Sequence, residues 1–305
     1  MQATHKKTTL PATLAALLGN SIFGFSFMFS RMALESATPF VMLMYRFCLA
    51  FLCLNGVALW AKMKKKEGWL RFSIPWKKSV PLFLLGLVQP VLYFLAESYG
   101  IRMTNATVSG VIIALIPIAA LAGGALFMQE KPSRMQVFYS LMCILGVIVM
   151  TLQQSASGNV QPLGILLLLG AVVTGAAYNM MSRSISRTFS ALERTYVMML
   201  MGAIVFGALA VFECRGDAAL LLAPAQNGRF LLSMVYLSLF SSILAFLCLN
   251  YAATLLPVRK TTAFCNMTTV LSVFAGAVFL GDSVSPVSIA AAVVIIFGVF
   301  GVQKT

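Results

Sequence analysis

Residues 104–133 read TNATVSGVIIALIPIAALAGGALFMQEKPS, with no charged side chain between Arg102 and Glu130. Hydrocarbon offers a backbone no hydrogen-bonding partner, so a segment that crosses it must close its own bonds in a helix. A bilayer core about 30 Å thick needs about 20 mostly apolar residues to be spanned. This stretch meets both demands. Residues 256–285, LPVRKTTAFCNMTTVLSVFAGAVFLGDSVS, form a second version of it at an offset of 152. That offset lays Gly276/Ala277 on Gly124/Ala125, Phe279 on Phe127 and Asp282 on Glu130.

Outward from these two stretches, apolar runs recur along the whole chain. Ten spans are expected, at roughly 10–31, 38–61, 79–101, 105–128, 133–152, 161–182, 191–213, 228–251, 258–280 and 284–303. The composition agrees: 60% of the 305 residues are apolar and 10% charged, and the mean hydropathy is +0.93. Soluble proteins average roughly 45–50% apolar and about 25% charged residues. Lipid is therefore the solvent of most of this chain, and the sequence predicts an all-α integral membrane protein.

A net charge of +14 does not signal nucleic acid. Lys and Arg gather in short runs between spans, most densely at Lys62, Lys64, Lys65, Lys66, Arg71, Lys77 and Lys78, as cytoplasmic loops require. With the N-terminus in the cytoplasm, only Arg31, Arg102, Arg215 and Arg229 of the 22 Lys and Arg fall outside, and Arg46 lies within a span. Both termini are thus expected on the cytoplasmic side. The first span follows Lys6 and Lys7 but has no A-x-A-like cleavage site, so it is expected to remain as a span. Five of six cysteines lie in apolar segments without a CxxC, and the single histidine, His5, sits in the N-terminal tail. No cofactor and no metal site is expected.

The same offset pairs Ser30/Arg31 with Ser182/Arg183, Phe94/Leu95 with Phe246/Leu247, Tyr99 with Tyr251 and Gly146/Val147 with Gly298/Val299. The chain divides into residues 1–152 and 153–305. Five spans per half is an odd number, so the second half is expected upside down, as two inverted five-helix repeats. Such repeats are a recurrent plan of secondary transporters, with the substrate site between the halves.

These stretches resemble the EamA-type repeat of the drug/metabolite transporter superfamily. In that repeat a proline-containing span ends in an acidic residue and the next span carries a glycine. Here these are Pro117, Glu130 and Gly146, then Asp282 and Gly298, with Thr269 where the second proline would stand. Arg46 in the second span also looks like the family pattern. The resemblance, from about residue 12 to 302, implies ten helices and a central cavity lined by spans one to four and six to nine. It places spans five and ten at the periphery. It implies a carrier of amino acids or other metabolites, often outward; relatives handle nucleotide sugars, sugar phosphates or cationic drugs.

Ionisable groups at membrane depth are costly and mark function by default. Two stand out: Arg46, and Glu97 near the outer end of span three. Gln89, Tyr93 and Glu97 at i, i+4 and i+8 share one helix face; the equivalent stripe, Ser241, Ala245 and Leu249, is less polar. Arg46 and Glu97 are expected either to pair or to divide the ends of a zwitterion such as an amino acid. The alternative is a pair that only fixes helix packing. Asn20 (sharing a face with Gly24 and Phe27), Tyr178 beside Thr174, and Asn266 complete the candidate substrate residues. Interhelical hydrogen bonding is an equally common role for such amides. The methionines Met198, Met199 and Met201 read as lipid-facing packing, and Pro90 and Pro117 as kinks.

Eight carboxylates, seven of them in loops or at span ends, and no histidine within a span are poor equipment for an enzyme. No ring of repeated charge suggests a channel filter. A phosphorylated substrate would want several cations around it, and Arg259 and Lys260 lie only at the mouth of span nine. The expected partners are the lipid bilayer and a small-molecule substrate. The short loops and the absence of an organelle-targeting segment point to a bacterial inner membrane. No oligomeric state is legible.

Overall fold

A computed structural model describes residues 2–63, 79–127, 132–156, 160–256, 261, 264–282 and 285–304. The basic loop from Lys64 to Lys78 lies outside them, as do Glu130, Arg259 and Lys260. All regular structure among the described residues is helical. The longer helices among the described residues are α1 (Gln2–Leu34), α2 (Pro39–Met63), α3 (Val80–Met103), α4 (Ala106–Phe127), α5 (Arg134–Ala156), α6 (Pro162–Ile185), α7 (Ala191–Glu213), α8 (Gly228–Leu255), α9 (Cys265–Phe279) and α10 (Pro286–Lys304), with two short helical turns, Ala218–Leu222 and Ala223–Gln226, before α8. Seven are long and apolar enough to cross a membrane: α1 to α4 and α6 to α8. Shorter apolar stretches, Arg134–Val149, Met267–Phe279 and Ile289–Val302, stand where the fifth, ninth and tenth spans are expected.

Local chemistry sets the helix starts. Asn105 caps α4 by accepting from the Val108 amide at 2.8 Å. Ser190 and Glu193 form a reciprocal capping box on α7, with the Ser190 amide donating to Glu193 at 2.8 Å. Asn227 accepts from the Arg229 amide at 2.9 Å at the start of α8. Each cap supplies a partner to an amide that has none within its helix.

Three helices are irregular near their middles. In α3 a π-helical turn covers Leu87–Leu92, and Gln89 leaves helical geometry at φ −143°, ψ 117° beside Pro90. In α8 a π-helical stretch covers Tyr236–Ala245. In α4 the regular helix stops after Ile113 and resumes at Ile116. Pro117 has no amide to offer the Ile113 carbonyl, which accounts for the break. Widened turns expose backbone and redirect side chains, and they occur often at functional sites.

The helices pack in a repeating scheme. α2 lies against α7 and α5 against α10. α3 lies against α6, and α1 against α8 and α9. The first piece of α4 packs on α9, whereas its second piece turns to α6. Small residues allow the closest crossings. A Cβ on Gly110 of α4 would lie 1.7 Å from Ser272 Oγ of α9, and one on Gly24 of α1 would lie 2.5 Å from Leu271 Cβ. Gly281, at φ +66°, ends the turn after α9 in a conformation that favours glycine.

Large apolar side chains cover the outside, Phe212 at 83% exposed and Leu126 at 78% among them. On α5 and α10, Phe138, Leu145, Val293 and Phe297 face outward. Water would not tolerate so much contiguous apolar surface, and lipid does. The chain is a multi-pass membrane protein. Met198 and Met199 are fully buried inside it rather than turned to lipid. Among the cysteines, all free, Cys143, Cys214 and Cys265 are buried, whereas Cys53 is exposed.

Candidate functional site

A cavity opens where the irregular helices meet. Its walls come from α1, α3, α4, α6, α8 and α9, with Thr261 just before α9; α2, α5, α7 and α10 contribute none of the described lining. Lining from α2 and α7, expected from the family resemblance, is thus not found; these two helices pack on each other instead.

Five sequence-predicted residues line the cavity together: Asn20 of α1, Gln89, Tyr93 and Glu97 of α3, and Tyr178 of α6. The α3 stripe holds across the widened turn. The Tyr93 hydroxyl donates to Glu97 Oε1 at 2.9 Å, and Glu97 is 4% exposed. Asn20 donates Nδ2 to the Ala16 carbonyl at 2.8 Å, and the Thr268 hydroxyl donates to the Asn20 carbonyl at 2.8 Å. Tyr178 donates to Asn250 Oδ1 at 3.1 Å. Thr174 bonds back to Gly170 and Ala171 and does not line the cavity. Asn266 lies in α9, and its side chain is outside the described residues.

Arg46 stands apart from these. It is fully buried but absent from the described lining. Its Nε donates to Ser242 Oγ at 2.8 Å and its Nη2 to Ser241 Oγ at 2.7 Å, both in the π-helical stretch of α8. The guanidinium lies 4.1 Å from the Phe94 ring centroid, a cation–π contact, and Phe94 itself lines the cavity. Nη1 has no hydrogen-bond partner among the described residues. The expected ion pair between Arg46 and Glu97 is not made among the described residues. Ser241 and Ser242 have claimed the fork, while Glu97 bonds to Tyr93 on its own helix.

Near its start α4 is held against α9. Asp282 Oδ2 accepts from the Thr107 amide at 3.0 Å and from its hydroxyl at 2.9 Å, so a carboxylate from beyond α9 caps the positive end of α4. Thr269 Oγ1 donates to the Gly110 carbonyl at 3.1 Å, one turn further in. Toward the other end the second piece of α4, Ile116–Phe127, packs on α6 and leaves α9.

The model of the EamA-like transporter family matches residues 10–152 and again residues 162–303. This chain belongs to the EamA-like transporter family. EamA proteins are transporters, not enzymes, and the relatives of this EamA chain carry the same word in their names. The uncharacterized transporter YcxC of Bacillus subtilis (strain 168) is 31% identical over 300 residues, covering 97% of this chain and 93% of that one. An uncharacterized transporter of Archaeoglobus fulgidus is 23% identical over 231 residues, 76% of this chain and 80% of that one. In fold, the chain resembles a protein of known crystal structure that is 17% identical, with a TM-score of 0.68 over 97% of this chain and 98% of that one.

Sequence reasoning missed several residues of this EamA chain. Arg194 is fully buried at the start of α7. It donates Nη1 to Ser182 Oγ at 2.6 Å and Nη2 to the Asn250 carbonyl at 2.7 Å. Asn250 in turn accepts from Tyr178 and Ser182 and donates to Thr195 Oγ1 at 3.0 Å. This network fixes the Tyr178 hydroxyl at the cavity wall. The signal for it was the Ser190–Glu193 capping box, which puts Arg194 inside a helix rather than in the preceding loop. Asn179 and Thr268, also in the lining, stand beside predicted residues and carried no separate sequence signal.

Proposed function

We propose that this EamA-family chain is a secondary transporter that carries a small polar metabolite across a bacterial inner membrane by alternating access. Residues 1–152 and 153–305 act as two inverted five-helix units, ten spans in all, around the cavity between α1, α3, α4, α6, α8 and α9. Matched features at the 152-residue offset support the two units. The π-helical turns of α3 and α8 correspond, and Arg31 and Arg183 bond to carbonyls at corresponding positions. The excess of Lys and Arg in the loops on the N-terminal side supports cytoplasmic termini. In that orientation Asp282 and Thr107 close the outer end, and the cavity communicates inward.

The observation that carries the proposal is a cavity lined by Asn20, Gln89, Tyr93, Glu97 and Tyr178 inside an apolar, lipid-facing molecule. Among the substrate classes, a compound with an amino group suits Glu97. A zwitterion would need a cation for its carboxylate, and Arg46 lies outside the described lining. The described lining holds no Lys or Arg, which counts against phosphorylated compounds.

Purified protein in proteoliposomes tests the reading. Uptake that saturates and accelerates against preloaded substrate is expected; flux linear in concentration and indifferent to preloading would make the chain a channel and overturn it. Site-specific labelling is expected to place residue 1 and residues 157–159 on opposite faces of the membrane. Finding them on one face would end the inverted arrangement.

A further inference from the structure

Corresponding residues of the two halves touch one another. Cys143 of α5 donates its thiol to the Ile295 carbonyl of α10 at 3.4 Å, and the two stand 152 residues apart. Around them the contacts are reciprocal. A Cβ on Gly146 would lie 2.7 Å from Ile295 Cγ1, and one on its counterpart Gly298 would lie 2.5 Å from Cys143 Sγ. Beside the cavity the rings of Phe94 and Phe246, at the same offset, meet with centroids 6.0 Å apart. Residues meet their own counterparts where a two-fold relation brings both to its axis, and reciprocal pairs mark such a contact. The two meetings point to a pseudo-two-fold axis that runs from the α5–α10 crossing to the cavity.

The cavity straddles that axis. Its described lining holds both members of a corresponding pair from each pair of lining helices: Ser26 and Tyr178 of α1 and α6, Glu97 and Leu249 of α3 and α8, Ile113 and Cys265 of α4 and α9. Elsewhere the correspondence breaks. Tyr93 and Phe94 of α3 line the cavity, whereas their counterparts Ala245 and Phe246 of α8 are fully buried and absent from the described lining. Phe246 packs edge-to-face with three lining rings, Phe23 at 5.2 Å, Tyr178 at 5.9 Å and Phe94. Thr261, just before α9, lines the cavity, and its counterpart Ser109 does not. Ser109 is fully buried near the start of α4, where its hydroxyl donates to the Asn105 carbonyl at 2.7 Å. Thr107, which Asp282 holds, stands two residues before it.

Two units of like fold and opposite polarity can exchange conformations, and the exchange carries each residue into the surroundings of its counterpart. We infer that Ala245, Phe246 and Ser109 form the cavity wall when it faces the other side of the membrane, in place of Tyr93, Phe94 and Thr261. Residues paired within the lining, Glu97 and Leu249 among them, stay in the wall throughout. The inference rests on the inverted two-unit reading above and names the residues that a substrate meets on the far side.

Sided labelling of the full chain in sealed membrane vesicles tests it, with the buried Cys143 as the one native cysteine kept. Ser109→Cys, close to isosteric, is expected to react slowly with a bulky membrane-impermeant maleimide on the Asp282 side, and several-fold faster when Asp282→Ala is added. The attached group has no room at a fully buried position, so it holds the chain in the exchanged state. Thr261→Cys in the same chain should then lose about tenfold or more of its reactivity toward a second reagent on the opposite side. Phe246→Cys should gain about tenfold or more on the Asp282 side. Ala245→Cys, a smaller change, replaces Phe246→Cys if that variant does not fold. Unchanged reactivity at both positions after the label is attached overturns the proposal. So does a Phe246→Cys that reacts from the side on which Thr261→Cys reacts, or a Ser109→Cys that stays unlabelled even with Asp282→Ala. The two readings fail separately. Residue 1 and residues 157–159 on opposite faces, with unchanged reactivity at Thr261→Cys and Phe246→Cys, removes the exchange and leaves the inverted units. Reciprocal reactivity without saturable uptake of any compound removes the carrier and leaves the exchange.

Discussion

Arg31 and Arg183, 152 residues apart, make the same pair of bonds in two places. Arg31 Nη1 donates to the carbonyls of Ile101 and Arg102, both at 3.1 Å, in the last turn of α3. Arg183 Nη1 donates to the carbonyls of Ala253 and Thr254, at 2.8 and 2.6 Å, in the last turn of α8. The final carbonyls of a helix lack partners within it and carry its negative end, so a guanidinium there supplies both hydrogen bonds and charge complementarity. The Ser-Arg identity seen in the sequence thus has a mechanical basis.

Arg31→Gln and Arg183→Gln are each expected to lower unfolding stability by about 1 kcal/mol. The two sites share no partner, so the double variant should lose the sum. Denaturant unfolding in mild detergent measures this, and a double variant no worse than either single one would mean that the clamps are not independent.

Arg46, bonded to Ser241 and Ser242 and absent from the described lining, is expected to serve packing rather than substrate. Arg46→Lys keeps the charge but loses the planar fork that spans Ser241 and Ser242, with an expected cost of about 2 kcal/mol. Its KM for any transported compound should change by less than about threefold. A KM raised tenfold in a variant of near-parental stability would put Arg46 in contact with the substrate after all.

Gly110→Ala has no room, since the new methyl would meet Ser272 Oγ at 1.7 Å and Cβ at 2.4 Å. Separation of α4 from α9 and a stability loss of about 2 kcal/mol or more are expected. Ser272→Gly in the same chain removes both obstacles and should restore most of the loss. Failure to restore it would show that helix conformation, and not the contact, demands glycine at 110.

Asp282→Ala removes the bonds to Thr107 but leaves the Asn105 cap, at about 1 kcal/mol, and is expected to loosen α4 from α9. With Cys265, which lines the cavity, as the sole cysteine, a membrane-impermeant thiol reagent applied from the Asp282 side reads the change. Labelling should be slow in the parent and several-fold faster in the variant. Equal rates would mean that α4 and α9 stay closed without Asp282.

Most of the spans were legible because a bilayer leaves the chain little choice: an apolar run must satisfy its own backbone, and only a helix does so. The stripe Gln89, Tyr93 and Glu97 was legible for a related reason, since polar side chains in a span are seldom left facing lipid. The partners of the ionisable groups were not. Arg46 bonds to serines 195 and 196 residues away, and nothing near Arg46 in the chain names them. Arg194 stands one residue after a capping box and reads as an interfacial charge until α6 and α8 close over it.

By itself the sequence determined that this chain lives in lipid, folds as apolar helices and carries one motif twice, because those properties are local or periodic and each segment satisfies them alone. Only the tertiary structure decided which polar groups meet. Hydrogen bonds in a low-dielectric interior are made wherever helix crossing brings donor to acceptor, and the crossings depend on small residues, a missing proline amide and widened turns acting together. That is why Glu97 reaches the cavity with Tyr93 as its only donor among the described residues, while Arg46 is spent on Ser241 and Ser242.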